Sequence, residues 1–233
     1  MRIDDEKWRS RKEYSWKRIW EDLEIGYLDR DLLPLLVLIN KDIDFYTTSS
    51  CSGRIVILDA DYPWERDEAR IVFKSHTPIN RNEMRSINNL KVHKKIWIIV
   101  NGPIIHIYSK NLRKAALILR TAREVGFKHS GIIHASRDKG VFIELVTGVY
   151  TSHLLKTRNE EITQANQMFK LVEIFNDALI EGKKRLDKLY IALKEFIPEK
   201  IDEQVTMDLN IRGISLEKTP MEIFKELVSY YQR

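Results

Sequence analysis

Apolar positions recur three and four apart around residues 4 to 22, where Trp16, Ile19, Trp20 and Leu23 share a side. That spacing predicts a helix packed on the body of the protein. "RDLLPLLVLIN" is apolar nearly throughout and reads as a buried helix, with Pro34 tolerated in its first turn. The period then shortens, and "FYTT", "GRIVILDA" and "ARIVFKSH" are predicted strands. Helical spacing returns in "NRNEMRSINNLKV" and in "NLRKAALILRTAREVG", the second closed by Gly126. "KIWIIVNGPIIHIYSK" reads as a hairpin turning at Asn101-Gly102, weakened by Pro103, and "SGIIHASRDKGVFIELV" as another.

Between residues 159 and 196, the positions Ala165, Met168, Val172, Phe175, Leu179, Gly182, Leu186, Leu189, Leu193 and Phe196 form a heptad-like seam. One long amphipathic helix is predicted, bracing a sheet; a coiled-coil dimer along the seam is the alternative to a monomer. Pro198 ends it, and a short final helix follows, with Thr219 as N-cap, Pro220 at its first position and Glu222 as capping acid.

"LLPLLVLINKDIDFYTTSSCSGRIVILDA" and "AALILRTAREVGFKHSGIIHAS" both run helix, aromatic, small polar loop, glycine, strand, and each is followed by a further strand. The expected fold class is therefore α+β: duplicated, mostly antiparallel sheet units with packed helices and a long C-terminal helix. Residues 1 to 196 are expected to be one catalytic domain, with 197 to 233 packed on it as an extension.

Composition narrows the class. Of 233 residues 43% are hydrophobic, enough for a sizeable core. A single cysteine excludes a disulfide framework within one chain, and no metal site is expected. No apolar run reaches membrane-spanning length, and the charged N-terminus lacks a signal-peptide core, so a soluble cytoplasmic protein is expected. The net charge of +5 hides an asymmetry: residues 80 to 137 hold twelve Lys and Arg against two Glu. Such a segment is either a phosphate-binding surface or a solvated helix face.

The candidate chemistry centres on "FYTTSSCSGR". Its hydroxyls and backbone N–H groups can cradle an anion, Gly53 permits close approach, and Arg54 supplies a positive fork. Cys51 and Arg54 are too close together for a cysteine phosphatase loop, and no neighbouring base marks a nucleophile. Neither G-x-G-x-x-G nor a Walker loop occurs. By physics alone the loop is a polar ligand site of unknown ligand, or a tight structural turn.

In that order and spacing, "DFYTTSSCSGRIVILD", "KSHTPI", "GPIIHIYSKN" and "GFKHSGI" resemble the tRNA wybutosine-synthesizing protein 3 family. The resemblance runs from about Asp22 to near residue 190. It implies an S-adenosylmethionine-dependent methylation at N-4 of the tricyclic guanosine derivative at position 37 of tRNA(Phe), without the Rossmann methyltransferase fingerprint. Thr48, Ser49, Cys51, Gly53 and Arg54 match the family loop; His76, His106, Asp29, Gly126, Phe127, Ser130 and Gly131 match its other motifs. "EIGYLD" departs from the basic Gly-Ser segment the family often carries there.

The expected site follows. Thr48, Ser49, Ser52, Gly53 and Arg54, with Ser130 and Gly131, hold the cofactor. His106, then His76, removes or orients the ring proton. Arg113, Lys114, Arg120, Arg123 and Lys128 contact tRNA phosphates. Cys51 is expected to pack, not to attack. A non-catalytic tRNA-binding module is the competing reading.

Overall fold

Asp4 opens the first helix, its carboxylate accepting the Lys7 N–H at 3.2 Å, as an N-cap residue does. In the computed structural model, which describes residues 3–65, 67–215 and 217–231, the elements follow in chain order. They are α1 (Asp5–Glu24), α2 (Leu33–Asn40), β1 (Phe45–Thr47), β2 (Arg54–Asp59), β3 (Arg70–Ser75), α3 (Arg81–Asn88), β4 (Lys95–Asn101), β5 (Ile104–Ser109), α4 (Leu112–Glu124), β6 (Gly131–Ser136), β7 (Gly140–Val146), β8 (Tyr150–Thr157), α5 (Ala165–Lys194), α6 (Glu203–Ile211) and α7 (Pro220–Tyr231). Two compact units emerge: Met1–Ser52, Pro103–Gly148 and Lys183–Glu226 in the first, Gly53–Gly102, Val149–Gly182 and Leu227–Arg233 in the second.

The first unit carries an antiparallel sheet of order β1-β5-β7-β6. Alternation sorts its side chains: Phe45, Ile105, Ile107, Val141, Ile143 and Leu145 enter the core with Trp16, Ile19, Leu35, Leu36 and Ile118 from the helices. Tyr46, His106, Tyr108, Phe142 and Glu144 therefore fall on the opposite face. α2 is buried almost all round, and the chain enters it through a 3-10 turn, Arg30–Leu32. Pro34 has no N–H and restricts the residue before it, which favours such an entry. α4 starts on Asn111, whose side chain accepts the Lys114 N–H at 2.9 Å, and the chain leaves it through Gly126 at φ +103°.

The second unit carries an antiparallel sheet of order β3-β2-β4-β8. Ile55, Ile57, Ile96, Ile98, Val100 and Leu155 form its core with Met84 and Ile87 of α3. Val56, Leu58 and Ile99 cluster on the other side, so β2 reads as an unbroken apolar run. α3 begins with a full capping box between Asn80 and Glu83.

The expected fold class holds, an α+β chain with two antiparallel sheets. Three details differ from expectation. The Asn101-Gly102 hairpin does not form: β4 pairs with β2 and β8, and β5 with β1 and β7. Each strand thereby gains two neighbours instead of one, and Pro103 lacks the N–H a tight hairpin would use. The repeated helix–strand–strand pattern does not set the unit boundaries, since α2 belongs to the first unit and β2 and β3 to the second. Strand β8 and helix α6 were not expected; β8 buries few apolar side chains and α6 chiefly Val205 and Leu209.

The seam of α5 is buried as expected, but in two cores. Met168, Val172, Phe175 and Leu179 lie in that of the second unit, and Leu186, Leu189 and Leu193 in that of the first. The side chain of Ala165 lies outside those described.

Candidate active site

After β1 the Ser/Thr loop continues along β5. Thr48 N–H donates to the His106 carbonyl at 3.1 Å, and Cys51 and Ile104 exchange backbone bonds at 2.9 and 3.0 Å. Ser50 Oγ donates to the Thr48 carbonyl at 3.0 Å and accepts the His106 N–H at 3.2 Å. Ser52 is anchored beneath. Its N–H and hydroxyl both donate to Asp29, at 2.8 and 3.0 Å. The ammonium of Lys183 donates to Ser52 Oγ at 2.5 Å and to Asp31 at 2.7 Å. Lys183 is 1% exposed, so this ion pair sits in low dielectric, where removing one member leaves a buried charge.

His106 stands on the face of the first unit's sheet opposite the core. Its Nε2 meets Glu144 Oε2 at 3.0 Å, because the two residues are direct cross-strand partners. Its ring meets Phe142 edge-on at 5.2 Å. When Nε2–H donates to the carboxylate, Nδ1 carries the lone pair, the arrangement of an oriented base. Tyr108 stacks on Tyr46 at 4.8 Å and on Phe142 at 4.9 Å beside it. Burial pushes the Tyr46 hydroxyl well above the ordinary tyrosine range and raises that of Tyr108, with Arg11 pulling both back.

Two cavities open against α1 in this unit. One, of about 600 Å³, is lined by Thr47, Thr48, Ser49 and Ser50 together with Tyr14, Arg18, Asp22, Tyr27 and Leu28. The other, of about 870 Å³, is lined by Lys7, Arg11, Tyr46, Tyr108 and Lys139, with Asp4, Glu6 and Ser10. Tyr14, Ser15 and Thr48 belong to both walls.

The expected site residues divide accordingly. Thr48 and Ser49 line the smaller cavity. Ser52 does not, since its side chain is buried and bonded to Asp29 and Lys183. Ser130 is also buried, its hydroxyl donating to the Phe127 carbonyl at 2.7 Å and accepting the Val146 N–H at 2.9 Å. Gly131 opens β6 with space where a Cβ would stand. In the second unit Gly53 takes φ +98°, a conformation that favours glycine. His76 Nδ1 lies 3.1 Å from the Gly53 carbonyl, and Arg54 starts β2 opposite Asn101.

Along α4, Arg113, Arg120 and Lys128 just beyond it are exposed. Lys114 instead joins an ion cluster with Asp44 at 2.9 Å, Glu199 at 3.0 Å and Asp42 at 3.4 Å. Arg123 donates to the Ser130 carbonyl at 2.9 Å. Sequence reasoning missed Glu144, Asp31, Lys183 and Arg11. Only Glu144 left a signal, since pairing β5 with β7 in register places it opposite His106.

Residues 10–195 match the family Methyltransferase TYW3. Fold and match together define a methyltransferase whose fold is not of the Rossmann type. The chain belongs to that family. Among curated relatives, a protein of Saccharolobus solfataricus is 43% identical over 183 residues, covering 78% of this chain and 87% of its own. One of Aeropyrum pernix is 32% identical, covering 76% of this chain and 94% of its own. Both are named tRNA(Phe) 7-((3-amino-3-carboxypropyl)-4-demethylwyosine(37)-N(4))-methyltransferase. The solved structure of the PH1069 protein from Pyrococcus horikoshii superposes with a TM-score of 0.75 at 28% identity, covering 81% of this chain and 97% of that one.

Proposed function

We propose that this chain transfers a methyl group from S-adenosylmethionine to N-4 of the 7-(3-amino-3-carboxypropyl)-4-demethylwyosine base at position 37 of tRNA(Phe), in the cytoplasm. The observation that carries this reading is the family match over residues 10–195, which contains the Ser/Thr loop, both histidines and α4.

The chain's residues fit such a cofactor. The cavity of about 600 Å³ lies in the range of roughly 300–1,000 Å³ that small-molecule sites occupy. Its hydroxyls Thr48 and Ser49 offer donors for the carboxylate of an α-amino acid, beside an ion pair of Arg18 with Asp22 whose two charges match its carboxylate and ammonium. S-Adenosylmethionine, when bound, supplies an electrophilic methyl group. The aminocarboxypropyl arm of the base ends in the same α-amino acid, so the loop of residues 47 to 54 serves one of the two. Ser52, Asp29 and Lys183 hold that loop in place. Methylating a ring N–H leaves a proton to remove; His106 takes it at Nδ1, and Glu144 steadies the resulting imidazolium. His76, Ser130 and Gly131 act by shaping the backbone around the loops. Arg113, Arg120 and Lys128 contact tRNA phosphates.

Arg54→Ala tests the loop. Methylation should be lost with the fold intact, and calorimetric affinity for S-adenosylmethionine should fall about tenfold to a hundredfold, the loss of one charge-assisted contact. Normal affinity with lost activity would place Arg54 on the tRNA side; normal values of both would make the loop structural. A wild-type protein that binds tRNA but neither binds the cofactor nor transfers methyl would be a tRNA-binding module.

A further inference from the structure

We propose that the larger cavity, between α1 and the outer face of the first unit's sheet, is a subsite for a single-stranded nucleotide of the tRNA other than the one methylated. The inference rests on the tRNA substrate proposed above. The cavity measures about 870 Å³ and shares the wall of Tyr14, Ser15 and Thr48 with the loop cavity. A neighbour of the target nucleotide can therefore reach it along one strand.

Its chemistry suits one nucleotide. The cations are of two kinds. Lys7 is paired with Asp138 at 3.1 Å, whereas Arg11 and Lys139 make no side-chain ion pair or hydrogen bond among the described residues and are exposed on the rim. Asp4 and Glu6 also line the cavity; Asp4 lies 3.9 Å from Lys7, so Arg11 and Lys139 are set against Glu6. They offer a phosphate a guanidinium fork and an ammonium. Below them Tyr108 is half-buried, its ring held between Tyr46 and Phe142 on the flanking strands, so that its hydroxyl edge, not a ring face, is offered to the polar edge of a base. Tyr46 Oη donates to the Lys139 carbonyl at 3.1 Å and so fixes the turn that carries Lys139. Duplex RNA keeps its bases stacked inside; a pocket joining a tyrosine hydroxyl and cations requires an unstacked, single-stranded nucleotide.

The test compares Arg11→Ala/Lys139→Ala, Tyr108→Ala and Tyr108→Phe with the wild type, using a tRNA(Phe) transcript and free S-adenosylmethionine. The double variant should bind the transcript about tenfold more weakly at moderate salt, with a salt slope shallower by about two. Tyr108→Phe should weaken binding about tenfold with the slope unchanged, since a hydrogen bond from the hydroxyl to a base edge is not ionic, and Tyr108→Ala should weaken it at least as much. All three should bind S-adenosylmethionine normally. Unchanged tRNA affinity and slope in the double variant would overturn the proposal. So would loss of cofactor binding in it, which would make the cavity the cofactor's. These readouts are binding alone, so an absence of methyl transfer by the wild type would sink the enzymatic reading without deciding the subsite.

Discussion

Lys12 is 4% exposed, yet its ammonium donates to the carbonyls of Asn40, Asp42 and Phe45 at 2.6, 2.8 and 2.7 Å and lies 3.4 Å from Asp202. Burial lowers its pKa to about 8, with Asp202 and Asp42 resisting. Because the folded value lies below the ordinary 10.5, the unfolded chain holds more protons between those limits. Stability from this group therefore rises with pH across that window. Above about pH 10 the raised pKa of Tyr46 acts oppositely, since the unfolded tyrosine ionises first. Urea midpoints at pH 7 and 9.5 should rise in the wild type and stay level in Lys12→Met. That variant should also lose about 3–5 kcal/mol at pH 7, because three carbonyls and Asp202 lose their donor. With His106 in its proposed role, His106→Ala should lower kcat by about 10²–10⁴-fold with tRNA affinity retained, the usual weight of a general base. Glu144→Gln should lower kcat less, the side chain still accepting from Nε2–H. A normal rate in both would move the proton transfer elsewhere.

At the scale of the element, α4 shows what a basic helix conceals. The spacing of its charges is legible in the sequence; their partners are not. Asp42, Asp44 and Glu199 come from distant parts of the chain to surround Lys114. Burial pulls the Lys114 pKa down, but hydrogen bonds to Asp44 and Glu199 outweigh it and hold it above the ordinary lysine value. Lys114→Ala should accordingly act on the fold, costing about 1.5–3 kcal/mol, because Asp42 and Asp44 lose their shared cation while Asp42 keeps the Asp44 and Glu199 backbone N–H groups at 2.9 and 2.8 Å. Arg113→Ala/Arg120→Ala should leave the denaturation midpoint alone and reduce the salt slope of tRNA binding by about two. Exchanged outcomes, with Lys114 affecting only binding, would mean that the ion cluster does not hold in solution.

At the scale of the whole molecule, residues beyond Pro198 are part of the first unit's core. Val205 and Leu209 are buried in it and Phe224 is 4% exposed. Asp208 accepts the Trp16 indole N–H at 2.8 Å, Asp202 faces Lys12, and the Lys183 ammonium lies 5.1 Å from the Phe224 ring centre. The family match ends at residue 195, so these contacts lie beyond the matched segment. Truncation after Pro198 should lower the melting temperature strongly, as each lost buried side chain is worth about 1.5–3 kcal/mol, and should redden Trp16 emission. An unchanged melting curve would show the extension to be dispensable.

The sequence by itself determined most of the strand and helix periods, the Gly126 exit from α4, the capping box of Thr219 and Glu222 and the loop motif, because each depends on residues within a turn or two of one another. It also carried the family. Only the tertiary structure decided which strands pair, and hence that β4 and β5 part company after Asn101. It decided that Glu144 faces His106, that Ser52 and Ser130 turn inward, and that Lys114 and Lys183 find acidic partners. These are contacts between residues tens to more than a hundred positions apart. Which of them form is settled by competition for buried surface and for hydrogen-bond partners across the whole chain, and local spacing carries no record of that competition.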